Sequence, residues 1–163
     1  MRLPKVYQFG PHSIPESQVF YKSKFCLGVV NLKPITAGHV LVISKRLAPR
    51  FADLTPDEAT DMMTCAHRIG PVLEKHYDGT SLTMVIQDGP QAGQTVPHVH
   101  MHVIPRKVGD WANNDDIYDE LAGKKKSRGV DNEERKPRSA EEMKQEADEL
   151  RTLFPEQQQQ NEE

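Results

Sequence analysis

The sequence is poor in cysteine: there are two, Cys26 and Cys65, far apart along the chain and with no Cys-x-x-Cys pair. That excludes the disulfide framework of a small secreted domain and fits a reducing compartment. No apolar run approaches the eighteen or so residues that a membrane helix needs, so no membrane association is expected. Met1-Arg2-Leu3-Pro4 does not begin a signal peptide. Neither sign of charge dominates: 24 acidic residues against 21 basic ones leave a net charge of −3, which removes the electrostatic case for nucleic acid. Internal repeats are absent. What remains is one soluble domain of 163 residues, long enough to bury about two-thirds of its unfolded surface. The expected location is the cytoplasm, with the nucleus also open.

Histidine is what stands out. Three of the seven histidines, His98, His100 and His102, occupy alternate positions in Val96-Pro97-His98-Val99-His100-Met101-His102-Val103-Ile104-Pro105-Arg106. A β-strand sends residues two apart to the same side, so this spacing predicts one titratable face and one apolar face carrying Val99, Met101 and Val103. Three readings fit: a His-rich but solvated strand, a metal site, or catalysis by an imidazole itself. The α-carbons of His98 and His102 would lie about 13 Å apart in such a strand, so all three on one ion would be strained. The cysteines sit in unrelated segments and do not complete a zinc set. An imidazole, by contrast, is largely neutral at pH 7 and serves as a nucleophile with little activation, while its neighbours can donate to a phosphate.

Around this stretch the pattern is mixed. Residues 6–9, 18–21, 25–31 and 39–44 read as strands with short, antiparallel connections. Thr55-Pro56-Asp57-Glu58 is a capping box with proline at the first helical position, and it opens a long amphipathic helix ending near Asp78-Gly79. Gly70-Pro71 is expected to kink or interrupt that helix. Residues 82–87 read as another strand. The charge runs between 109 and 138 read as a flexible loop. Ser139-Ala140-Glu141-Glu142 opens a second helix, with Met143, Ala147, Leu150 and Phe154 on one face. The expected organisation is a core domain over 1–108, the loop over 109–138, a packed helix over 139–154 and a disordered tail over 155–163.

Gln87-Asp88-Gly89-Pro90, Ala92-Gly93-Gln94-Thr95-Val96, His98-x-His100-x-His102 and Pro105-Arg106 together resemble the histidine triad (HIT) superfamily, in its Fhit branch. Phe9-Gly10, Asn31, Lys33-Pro34, Gly38-His39-Val40-Leu41-Val42 and residues 115–121 extend the similarity. The triad ends in Val103-Ile104-Pro105-Arg106 without the glycine-rich ending usual in Hint-like phosphoramidases. It also keeps the third histidine, which galactose-1-phosphate uridylyltransferases replace with glutamine.

The resemblance implies an α+β fold: a five-stranded antiparallel sheet with one long helix and a C-terminal helix, the sheet continuing across a homodimer. It implies hydrolysis of diadenosine polyphosphates, preferentially diadenosine triphosphate, to AMP and ADP through a nucleotidyl-histidine on His100. His98 and His102 would hold phosphate oxygens and assist the leaving group, with His39 in support and Gln87 donating to a phosphate or bridging oxygen. Asn31 would bind ribose, and Gly93, Gln94, Thr95 and Val96 would form a phosphate loop. Phe9, Gly10, Leu27 and Leu41 would form the adenine slot, with His12 reaching the nucleotide. Mg²⁺ or Mn²⁺ is expected to arrive on the substrate, with no protein-bound structural metal. Two alternatives stay open: a Hint-like adenosine phosphoramidase, and a nucleotide-loaded signalling module switched off by hydrolysis. Tyr118, in an acidic setting, is a candidate link to a phosphotyrosine-dependent partner.

Overall fold

The computed structural model describes residues 3–123 and 136–159. Strands β1 (Val6–Phe9) and β2 (His12–Pro15) form a two-stranded antiparallel hairpin. Strands β3 (Val19–Lys22), β4 (Cys26–Val30), β5 (Val40–Ser44), β6 (Ser81–Val85) and β7 (His100–Arg106) make one antiparallel sheet in the order β3-β4-β5-β7-β6. The five strands, the antiparallel pairing and the long helix agree with the α+β fold expected from the sequence. Strand β2 was not expected: it is four residues with a proline at its end and a single buried side chain, Ile14, too little for an alternating pattern.

The central strands show why the sheet sits where it does. Every residue of β4 and β5 is buried, so these strands read as continuous apolar runs, the signature of a sheet covered on both faces. One face carries Cys26, Val30, Val40, Val42, Met101 and Val103 against helix α1 (Pro56–His76) and helix α3 (Ala140–Arg151). The other carries Leu27, Val29, Leu41 and Ile43, covered by Phe9 and Ile14 of the hairpin. Register pairs Leu41 with His102 and Ile43 with His100, which puts both histidines on that second face.

Helix α1 starts as its capping box dictates: the Glu58 N–H donates to Thr55 Oγ1 at 3.1 Å, and the Thr55 N–H to Glu58 Oε1 at 2.9 Å. It is not interrupted at Gly70-Pro71. Ile69 and Leu73, both fully buried, anchor it to the sheet on either side, and that packing offsets the one internal hydrogen bond proline removes. Gly70 lets the helix lie close to β6, since a Cβ there would stand 3.0 Å from Leu82 Cδ1.

Two further expectations change. The segment 109–123 is packed: Trp111 and, from helix α2 (Asp116–Leu121), Ile117 bury against Ile104, while Arg106 pairs with Asp110 at 2.6 Å and covers the Trp111 ring. Scattered apolar residues among charges hid this small core; the charge runs at 124–135 lie outside the described residues. The tail expected over 155–163 opens with helix α4 (Pro155–Gln159). Proline ends one helix but suits the first position of the next. Glu156 pairs with Arg68, and the Lys22 N–H donates to Gln157 Oε1 at 2.9 Å; residues 160–163 lie outside the described residues.

Candidate active site

The histidines sit where β7 begins, and the strand starts at His100. His98 precedes the strand but still faces the hairpin, its ring centroid 5.4 Å from that of Phe9. Its ring is fully buried, with Nδ1 accepting from the Gly10 N–H at 3.0 Å and Nε2 bonded to the Ser44 carbonyl at 2.7 Å. A backbone N–H only donates and a carbonyl only accepts, so the proton of neutral His98 is on Nε2. Both nitrogens are thus committed to backbone. His98 ties the hairpin to β5. Gly10 makes this approach possible: its φ is +54°, and a Cβ would come within 2.7 Å of Val96 Cγ1.

The same argument fixes the next ring. His100 Nδ1 lies 2.7 Å from the carbonyl oxygen of His98, so Nδ1 carries the proton and donates it. That leaves Nε2 of neutral His100 with its lone pair available. Phe9 meets the ring edge-on, with centroids 5.1 Å apart.

His102 receives the opposite tautomer through His39. The Ile35 N–H donates to His39 Nδ1 at 3.1 Å, which puts the proton of neutral His39 on Nε2. Nε2 in turn lies 2.9 Å from His102 Nδ1, so His102 accepts there and holds its own proton on Nε2. The rings of His100 and His102 are 5.2 Å apart. Two adjacent imidazoles thus offer opposite functions: a lone pair on His100 Nε2 and a donor on His102 Nε2.

Burial keeps these rings neutral. It pushes the His98 and His100 imidazoles below their ordinary range, and it pushes His102 down to about 3, with the charge of a protonated His100 as the lesser cause.

Beside the triad, between the hairpin and the sheet, lies a cavity of about 600 Å³. Of the residues expected at the nucleotide site, Phe9, His12, Asn31, Leu41, Thr95 and Val96 line it. Leu27 does not: it is fully buried in the core beneath the hairpin, because on β4 an apolar residue facing a cavity and one facing the core look alike in sequence. Gly10 and Gly93 act through space they leave empty. At Gly93, with φ +95°, a Cβ would stand 2.8 Å from Gln87 Nε2. Gln87 follows β6, whose Val85 pairs with His102, and its amide has no hydrogen-bond partner among the described residues.

Gln94 is occupied by its own loop: Oε1 accepts from the Gly89 N–H at 2.8 Å, and Nε2 donates to the Pro49 and Val96 carbonyls at 2.8 and 2.9 Å. It shapes the loop from within. Asn31 Oδ1 accepts from the Lys33 N–H at 3.1 Å, and its Nδ2 lies 3.3 Å from His39 Nε2.

Several residues at the site escaped sequence reading. Ile14 and Gln18 line the cavity from the unexpected hairpin side, and Met143 reaches it from α3. Arg138 bonds the Asn31 carbonyl through Nε at 3.0 Å and pairs with Glu146, holding the cavity wall to that helix. Arg50 grips Asp88 at 3.0 Å behind the loop that bears Gln87. No local pattern announces these contacts, since each joins segments distant in sequence. The two cysteines lie in segments far apart in sequence, yet Cys26, Asp61 and Cys65 form the one cluster of candidate metal ligands among the described residues, on the opposite face from the histidines.

Comparison with known proteins agrees with this architecture. The HIT domain model matches residues 14–109. The chain is 49% identical over 151 residues to the Arabidopsis thaliana bifunctional bis(5'-adenosyl)-triphosphatase/adenylylsulfatase FHIT, covering 91% of this chain and 84% of the relative. It is also 49% identical over 148 residues to the Dictyostelium discoideum bis(5'-adenosyl)-triphosphatase, covering 91% and 93%. Among solved structures, the Plasmodium falciparum diadenosine triphosphate hydrolase, crystallised with cyclomarin A, superposes with a TM-score of 0.74 at 28% identity over 95% of this chain and 88% of that one. By sequence and by fold, the chain belongs to the HIT-domain family, within its fragile-histidine-triad branch.

Proposed function

We propose that this protein hydrolyses dinucleoside polyphosphates, cleaving diadenosine triphosphate to AMP and ADP through a nucleotidyl-His100 intermediate. The observation that carries the reading is the fixed pair of tautomers: Nε2 of His100 is left with a lone pair by its bond to the His98 carbonyl, beside the Nε2–H that the Ile35–His39 chain gives His102. The names of the relatives support the substrate.

In the first step the His100 Nε2 lone pair forms a bond to the α-phosphorus as the bond from that phosphorus to the bridging oxygen breaks, and ADP leaves as an anion. In the second, water attacks the same phosphorus, the P–N bond breaks and AMP departs. The water proton passes to solvent, and His100 returns to its starting tautomer. His102 donates from Nε2 to a phosphate oxygen in both steps, while the Gln87 amide supplies a further donor. His98 acts as a positioning residue through its carbonyl. The cavity beside the triad, about 600 Å³, falls in the size range of small-ligand sites and would take one nucleoside, with Asn31 at the ribose. Mg²⁺ or Mn²⁺ would arrive on the polyphosphate.

A homodimer is proposed through the edge of β6. The other edge strand, β3, is capped by Arg151, which bonds the carbonyls of Val19, Glu16 and Ser17 at 2.9–3.0 Å. β6 instead ends the sheet with Met84 exposed. Tyr118, 48% exposed on α2, supports a second reading in which its modification recruits a partner.

The test is a side-by-side assay of the purified protein on diadenosine triphosphate and on an adenosine phosphoramidate, resolving AMP and ADP by chromatography. The proposal expects the dinucleotide to be preferred and His100→Ala to lose turnover while remaining folded. Full activity in that variant, or preference for the phosphoramidate, would overturn it.

A further inference from the structure

On the covered face of the sheet, away from the histidines, β4 and α1 bring the two cysteines of the chain together. Cys26 Sγ, Cys65 Sγ and one carboxylate oxygen of Asp61 all lie within 4.8 Å of one another. Asp61 and Cys65 are a single helical turn apart on α1, so both side chains leave the same side of the helix. Cys26 faces them from the sheet. Both cysteines are buried, Cys26 completely.

The surroundings are arranged to orient ligands. Ser23 Oγ donates to Asp61 Oδ2 at 2.5 Å, and the Phe25 N–H donates to the same oxygen at 2.9 Å. The Cys26 N–H donates to Ser23 Oγ at 3.0 Å, and Lys45 Nζ reaches the Ser23 carbonyl at 2.5 Å. Hydrogen bonds of this kind fix the rotamers of metal ligands and supply compensating positive charge.

We propose that Cys26, Asp61 and Cys65 bind one Zn²⁺, with the Ser23 hydroxyl or a water molecule as the fourth ligand. Zinc holds thiolate sulfur at about 2.3 Å and carboxylate oxygen at about 2.0–2.2 Å in a tetrahedron, so its ligand atoms stand roughly 3.4–3.8 Å apart. The cluster therefore closes on an ion through side-chain shifts of about 1 Å or less. Two thiolates select a borderline-soft cation over the Mg²⁺ or Mn²⁺ that suits a polyphosphate. Binding releases both thiol protons to solvent. Two thiolates, one carboxylate and the dication leave a single net negative charge, which faces the Phe25 and Cys26 N–H groups and Lys45. The ion would pin α1 to β4, so it acts on stability and not on phosphoryl chemistry. This departs from the expectation of no structural metal, and it stands independently of the proposed activity.

The test uses the full chain, reduced and stripped of metal, titrated with Co²⁺ as an optical probe. One equivalent should produce thiolate-to-cobalt charge-transfer absorption with the strong visible bands of a tetrahedral ion, and Zn²⁺ should bleach both. Cys26→Ala and Cys65→Ala should each abolish the charge-transfer band, Asp61→Asn should weaken Co²⁺ binding at least tenfold, and His100→Ala should leave the spectrum unchanged. Urea unfolding of each variant confirms that the fold is present during titration. Absence of the charge-transfer band in the parent protein, or its survival in the Cys26→Ala/Cys65→Ala double variant, overturns the proposal.

Discussion

Replacing His98 with alanine should cost the protein more stability than replacing His100, although the two residues belong to one motif. His98 is fully buried and satisfies two backbone groups, the Gly10 N–H and the Ser44 carbonyl, at 3.0 and 2.7 Å. Losing the ring strands both, at about 1–3 kcal/mol each, and leaves a void under Phe9, whose ring centroid lies 5.4 Å away. The total is about 3–6 kcal/mol. His100, also buried, makes one hydrogen bond to a carbonyl, and its loss should cost about 1–3 kcal/mol. For a chain of this size a urea m-value near 2 kcal/mol/M converts the His98→Ala loss into a fall of about 1.5–3 M in midpoint. His100→Ala should shift the midpoint by about 0.5–1.5 M while removing turnover. Urea titrations of both variants at equal protein concentration measure the contrast. Equal midpoints for His98→Ala and the parent would refute the assignment of its ring to the backbone.

Other outcomes follow from the same geometry. Gly93→Ala forces a Cβ toward Gln87 Nε2, 2.8 Å away, from a backbone at φ +95°; kcat/KM should fall about tenfold or more, the loss of one positioned donor, while far-UV circular dichroism is retained. His39→Ala leaves the tautomer of His102 unfixed, and steady-state kinetics should show kcat lowered about a hundredfold with KM little changed. The buried histidines should also make stability depend on pH. His102 sits at about 3 when folded and near 6.5 when unfolded, so its contribution is whole above pH 6.5 and is lost as pH falls toward 3. The loss amounts to at most about 5 kcal/mol, with His98 and His100 adding in the same direction. Urea titrations from pH 7 to pH 4 should show a steady decline, and a flat profile would contradict the burial of these rings as neutral groups.

What could be read from the sequence depended on whether the cause was local. The capping box at Thr55 and Glu58, the apolar strands β4 and β5, and the amphipathic stripe of α3 are short-range patterns, and each produced the expected element. The alternation of histidines predicted a shared side, but not which ring nitrogens the backbone would occupy. Strand spacing places His98 beside His100, and both rings meet Phe9, but backbone groups of Gly10 and Ser44, distant in sequence, occupy both nitrogens of His98. Gln94 and Leu27 show a related limit of local pattern: an amide closing a loop and an amide awaiting substrate look alike in sequence, as do a buried leucine and one lining a cavity. The convergence of Cys26 with Cys65, and the grip of Arg138 on Asn31, exist only once the sheet and helices have packed. The motif residues of the Fhit branch thus identified the family, while long-range hydrogen bonds divide its histidines between buried backbone ties and a paired donor and acceptor.

The most direct test of that division is to catch the enzyme mid-reaction. Protein mixed with excess diadenosine triphosphate, quenched within a turnover and digested for mass spectrometry, should carry an adenylyl group on Nε2 of His100 and on no other histidine, and His39→Ala should carry it more slowly. Protein that releases AMP and ADP at full rate without ever holding nucleotide at His100 would contradict the account.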